Sequence, residues 1–178
     1  VLEGTIADLE TKKPLAGRVE LQLIDPQKKG GYHYSVIGQT NADAQGKWKL
    51  KNAPVGWVRI VLLADGYVPR VVGYGKYTGE PGWHPFNGSL LRSAKVSGRV
   101  VDESQKPLAD AEIKLIDFEN LGENYQTAED FRTTTDAEGR FHFDNAPTAS
   151  ANVMLHKKGY VLPGLGPTIK TSAADVVL

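Results

Sequence analysis

A single long unit occurs twice in this chain, and that repetition limits what the chain can fold into more than any other feature. Thr40-Asn41-Ala42-Asp43-Ala44-Gln45-Gly46-Lys47-Trp48 returns as Thr133-Thr134-Thr135-Asp136-Ala137-Glu138-Gly139-Arg140-Phe141. Asn52-Ala53-Pro54 returns as Asn145-Ala146-Pro147, and Gly66-Tyr67-Val68 returns as Gly159-Tyr160-Val161, always 93 positions later. Pro14-Leu15-Ala16 and Pro107-Leu108-Ala109 keep that offset, while Gly4 and Gly98 lie 94 apart, a one-residue change of loop length. A long unit repeated once predicts two homologous domains in tandem, not a solenoid of short units. The boundaries fall at 1–93 and 94–178. Turn chemistry and core pattern repeat; no set of catalytic residues does.

The hydrophobic period is two. Val19, Leu21 and Leu23 alternate with Arg18, Glu20 and Gln22, and Ala111, Ile113 and Leu115 repeat the pattern. Trp48 and Leu50 alternate with lysines, as Phe141 and Phe143 flank His142. Such runs place one face on a core and the other in water. The 19 glycines and 10 prolines punctuate them, so short strands joined by turns, and hence β-sandwiches, are expected. In Asp43-Ala44-Gln45-Gly46 and Asp136-Ala137-Glu138-Gly139 the aspartate accepts backbone N–H groups and the glycine takes φ > 0. Gly66-Tyr67 and Gly159-Tyr160 end a strand, with each tyrosine expected to pack over one end of its sandwich.

The order of these motifs resembles the carboxypeptidase regulatory-like domain. The second copy carries the pattern most fully: Gly98-Arg99-Val100-Val101-Asp102, Pro107-Leu108-Ala109-Asp110-Ala111, Thr135-Asp136-Ala137-Glu138-Gly139-Arg140-Phe141 and Gly159-Tyr160. The first copy departs at Asn41 and at Trp48, which replaces the phenylalanine. The resemblance implies an all-β chain of two tandem Greek-key β-sandwiches of transthyretin-like type. It further implies a non-catalytic structural or interaction module of a larger exported or cell-surface protein. Its expected location is extracellular, cell-surface or periplasmic, and its expected partners are other domains of the parent, a protein or a glycan. Val1 already sits in a strand-like pattern, so a piece of a longer polypeptide is expected.

Composition narrows the alternatives. With no cysteine, neither a disulfide nor a thiolate metal site can form. Lys plus Arg and Asp plus Glu both number 21, without the basic excess of a nucleic-acid binder. No apolar run reaches the roughly 18–20 residues of a membrane helix. A monomer without cofactor, metal or catalytic residues is expected. Intradiol ring-cleaving dioxygenases share the turn pattern but cluster two tyrosines and two histidines on iron. Here His33, His84, His142 and His156 are scattered. Pairing Phe141–Phe143 with Val153–His156 would put His142 and His156 on one outer face, about 7–8 Å apart. Two ligands are too few for a metal, and solvated histidines are expected.

One segment stands out. Counting back from Gly66, Val58, Ile60 and Leu62 point inward, leaving Trp57, Arg59, Val61 and Leu63 outward. The equivalent outward positions of the second copy are Ser150, Asn152, Met154 and His156. The first copy is therefore apolar on both faces here and needs a cover. The aromatic, Gly/Pro-rich segment 73–87 supplies Tyr74, Tyr77, Trp83 and Phe86. These rings are expected to pack over Trp57, Val61 and Leu63, with Trp83 on the first domain or the junction. The alternative is a carbohydrate-binding site formed by Trp57, Tyr74, Tyr77, Trp83 and Phe86.

Overall fold

A computed structural model describes residues 1–25, 33–80, 85–119, 121, 125–160 and 166–178. All regular structure among them is β, in four sheets and without a helix. The chain divides into two compact units, Val1–Arg92 with Tyr125–Ala128, and Ser93–Asn124 with Glu129–Leu178.

In the first unit the strands are β1 (Leu2–Asp8), β2 (Gly17–Asp25), β3 (His33–Ala42), β4 (Lys47–Leu50), β5 (Gly56–Leu63), β6 (Arg70–Tyr77) and β7 (Gly88–Leu90). One sheet has the order β4-β1-β7, with β1 antiparallel to β4 and parallel to β7. The other runs β6-β5-β2-β3 and is extended at β6 by β10 (Gln126–Thr127). The core draws on both sheets. Leu2, Ile6, Trp48, Leu50 and Leu90 from the first meet Val19, Leu21, Val58, Ile60, Leu62 and Tyr77 from the second. Burying each large apolar side chain contributes about 1.5–3 kcal/mol.

The second unit contains β8 (Ser93–Arg99), β9 (Glu112–Ile116), β11 (Arg132–Thr134), β12 (Arg140–Pro147), β13 (Ser150–His156), β14 (Thr168–Lys170) and β15 (Val176–Val177). Its sheets are β12-β8-β15 and β14-β13-β9-β11, the order of the first unit strand for strand. The alternating core positions Ile113, Leu115, Phe141, Phe143, Ala151 and Val153 are buried as the period of two requires.

The repeated turns behave as their residues dictate. Asp43 Oδ1 accepts N–H groups of Gln45 and Lys47 at 2.9 and 2.8 Å, and Asp136 Oδ1 accepts those of Glu138 and Arg140 at 3.0 and 2.8 Å. Gly46 and Gly139 lie at φ 72 and 73, in the left-handed region. A Cβ at either would fall within 2.3 Å of the Ile6 carbonyl oxygen or 2.6 Å of that of Val100.

Two expectations are corrected. β12 pairs with β8, whereas β13 pairs with β9 and β14. His142 and His156 therefore lie on different sheets, because the strand after the turn returns to the opening strand of its unit. Tyr67 is partly buried, but its counterpart Tyr160 is 50% exposed and does not pack over its unit.

Candidate binding face

The outward face of β5 and β6 carries two exposed rings of the first unit, Trp57 and Tyr74. In β6 the strand period separates two tyrosines only three residues apart. Tyr77 points inward and is 2% exposed, while Tyr74 points outward and is 54% exposed. Glycine fills the inward position at 73, where a Cβ would come within 2.5 Å of the Phe86 ring. Phe86 accordingly packs against the core cluster. Trp83 lies outside the described residues, and so does the expectation placed on it.

The cover expected of segment 73–87 is thus corrected for the rings described. Tyr77 and Phe86 pack on the inner side of the sheet, and Trp57 on the outer side remains 56% exposed. Inward burial also removes Tyr77 and Phe86 from any ring platform. Trp57 and Tyr74 are brought together, with centroids 6.4 Å apart and planes at 51°. Val61 is buried, at 1% exposure.

The register explains the neighbours of this pair. Tyr74 lies opposite Arg59, Arg59 opposite Gln22, and Gln22 opposite Val36. In the adjacent outward row Trp57 lies opposite Lys76. Arg59 Nε donates to Gln22 Oε1 at 2.8 Å, and its guanidinium carbon sits 3.2 Å from the centroid of the Tyr34 ring. Gln22 Nε2 donates to Glu20 Oε2 at 2.7 Å, and Glu20 pairs with Arg18 at 2.9 Å. Burial lowers the Arg59 guanidinium from its ordinary value, opposed by the Tyr34 phenol facing it. It stays charged, as arginine does in proteins. The alternation of β5 already placed Arg59 outward, but Arg59, Lys76, Gln22 and Tyr34 were not among the binding residues expected from the sequence. The available signal was period two: Arg59 follows Trp57, and Lys76 follows Tyr74, by two positions each.

The most perturbed carboxylate has a different task. Asp8 is 1% exposed; its Oδ1 accepts the N–H groups of Glu10 and Thr11, both at 2.9 Å. Its Oδ2 accepts the Tyr67 hydroxyl at 2.7 Å and pairs with Arg92 at 2.8 Å. The Thr11 N–H and then the Tyr67 hydroxyl hold it well below the usual carboxylate range. The same bond to Asp8 raises the Tyr67 phenol. Such a carboxylate is a structural tie, with no lone pair left for a substrate proton.

In the second unit, a depression of about 590 Å³ is lined by Arg99, Arg140, His142, Asp136 and Asp175, among others. Arg140 is committed to Asp136 and Glu138, both at 2.8 Å. Among the described residues no three His, Cys, Asp or Glu side chains are placed to hold a metal ion. No helix among them is long and apolar enough to cross a membrane.

The repeated strand order and turns agree with a comparison of families. Residues 95–173 match the carboxypeptidase regulatory-like domain. The carboxypeptidase regulatory-like match covers the second copy, where the motifs are most complete, and bears out the resemblance read there. No curated protein matches the chain. Among solved structures, a streptococcal ancillary pilin is 16% identical with a TM-score of 0.45, over 99% of this chain and 60% of that one. The chain thus spans less than two thirds of that pilin. GBS52, the minor pilin of Streptococcus agalactiae, is 13% identical with a TM-score of 0.38, over 100% and 94% of the two chains. The shaft pilin SpaA of Lactobacillus rhamnosus GG is 13% identical with a TM-score of 0.35, over 99% and 95%.

Proposed function

We propose that the chain is a tandem of two Greek-key β-sandwiches of transthyretin-like, carboxypeptidase regulatory-like type, divided near 1–93 and 94–178. It serves as a monomeric, non-catalytic interaction module of a larger exported or cell-surface protein. The observation that carries the tandem is the strand order, the same in the two units apart from β10. The family match to residues 95–173 supports the module reading, since domains of this family are accessory parts. The use of ionisable groups supports it further. Asp8, Asp136, Arg140, Asp130 and Arg132 are engaged in turns and ion pairs. Exposed side chains with contact area to spare include the neighbouring rings of Trp57 and Tyr74.

Deleting this chain from its parent tests the reading. The parent is expected to keep any chemistry of its own and to lose attachment to its partner or surface. Loss of turnover with attachment intact would overturn it. Fractionation of the producing cells is expected to recover the parent outside the cytoplasm, and light scattering to give the mass of one chain.

A further inference from the structure

We infer that the outer face of β5 and β6 binds an acidic polysaccharide, one whose pyranose rings carry carboxylates. This deepens the module reading and rests on it. Two adjacent outward rows form a checkerboard: Tyr74 opposite Arg59, then Lys76 opposite Trp57. The rings hold one diagonal and the cations the other. The ring centroids are 6.4 Å apart, and both rings are more than half exposed.

A protein partner packing by hydrophobic burial calls for a contiguous apolar patch depleted of charge at its centre. Here each of the two exposed rings has a cation as its cross-strand neighbour, so charge sits within the ring pair itself. A uronate-bearing chain presents the complementary alternation. The C–H face of each pyranose stacks on a ring, and its carboxylate meets a guanidinium or ammonium group. Charge-assisted bonds of this kind are the stronger class of hydrogen bond.

The charge balance of the face selects an anionic chain. Arg18, Arg59 and Lys76 share it with one described carboxylate, Glu20, which Arg18 already neutralises at 2.9 Å. The site is also held in advance. Arg59 is fixed between Gln22 and the Tyr34 ring, so little side-chain freedom is lost when a carboxylate arrives. The equivalent strand of the second unit carries Ser150, Asn152, Met154 and His156 outward, with no Trp, Tyr or Phe. The inference therefore belongs to the first unit alone.

The test is affinity electrophoresis of the full 178-residue chain through gels containing polygalacturonate, or the same polymer after its carboxyl groups have been reduced. Retardation is expected in the acidic polymer, with much less in the reduced one. Trp57→Ala and Tyr74→Ala are each expected to weaken it roughly tenfold, the scale of losing one stacking ring. Lys76→Gln should weaken binding to the acidic polymer alone, while Arg99→Gln in the second unit leaves it unchanged. Unchanged melting of the Trp57 and Tyr74 variants, whose rings are exposed, will separate lost binding from lost folding. Three results overturn the inference: no retardation by polygalacturonate, equal retardation by the reduced polymer, or full retention by Trp57→Ala. If Trp57→Ala instead releases the chain from a neighbouring domain and keeps polymer retention, the face is a protein contact and the inference fails. Any of these leaves the module reading to its own deletion test.

Discussion

Individual residues explain why the repeated turns are so alike and why the repeated tyrosines are not. Gly139 combines φ 73 with the Val100 carbonyl oxygen 2.6 Å from where a Cβ would stand, so both backbone strain and collision oppose a side chain. Gly139→Val is expected to lower stability by roughly 1–3 kcal/mol, the range for a strained backbone position. Urea unfolding measures this, and an unshifted midpoint would refute it. These turns were legible because aspartate and glycine act on backbone within four residues of themselves. The fate of the tyrosines was not legible, because it depends on distant partners. Tyr67 reaches Asp8 across 59 positions, while Asp102 in the second copy accepts the N–H groups of Ser104 and Lys106. The Asp8 tie has a pH signature. Its carboxylate is held below its unfolded value, so its contribution is present above about pH 4 and is lost as pH falls towards the folded pKa. The raised Tyr67 phenol adds the opposite limit, with its contribution lost as pH rises beyond about 10. Asp8→Asn should therefore melt lower than the wild type at pH 7, with the gap closing below about pH 4. A gap that stays constant down to pH 2 would show that Asp8 does not act through its charge.

Among the elements, β6 shows how a reading by composition differs from one by periodicity. Treated as an aromatic, glycine-rich block, Tyr74 and Tyr77 belong together. Treated as a strand, they face opposite ways, because residues three apart fall on opposite sides of a period of two. The sequence held the information, but the glycines at 73 and 75 masked the alternation by leaving the inward positions without side chains. The Phe86 ring enters at Gly73, and its source beyond the strand cannot be read from strand pattern. A direct consequence is an asymmetry between the two tyrosines. Tyr77→Ala empties a core site and should cost about 3–5 kcal/mol, as for other large buried rings. Tyr74→Ala should stay within about 0.5 kcal/mol, as for most surface positions. Equal destabilisation of the two variants in thermal or urea unfolding would contradict the inward and outward assignment.

For the whole molecule, the repeat predicts two domains divided near residue 93, and it carries no sign that one short stretch of chain crosses that division. β8, β9 and β11 through β15 pair among themselves, so residues 94–178 are expected to fold alone and give a dispersed NMR spectrum. A collapsed spectrum would count against that boundary. Tyr125–Ala128, however, comes from the second half of the sequence and belongs to the first unit. Gln126 and Thr127 pair with Val71 and Arg70 at the edge of the five-stranded sheet, and the Ala128 N–H donates to the Pro69 carbonyl at 2.9 Å. This strand is too short and too polar to leave a periodic signal, and its partners lie more than 50 positions away. Tyr125 anchors it. The hydroxyl accepts the Leu91 N–H at 3.0 Å and donates to the Val68 carbonyl at 3.2 Å, while the Arg70 guanidinium lies 4.6 Å from the ring centroid. Burial raises this phenol, so it remains protonated and able to donate at neutral pH. Tyr125→Phe keeps the ring but leaves the Leu91 N–H and the Val68 carbonyl without that partner. Leaving a buried polar group unsatisfied costs about 1–3 kcal/mol. The expected outcome is faster hydrogen exchange at the Leu91 amide, with the Val153 amide, inside the second unit, unchanged. If Leu91 exchanges at the wild-type rate, the Tyr125 anchor does not hold this edge of the first unit.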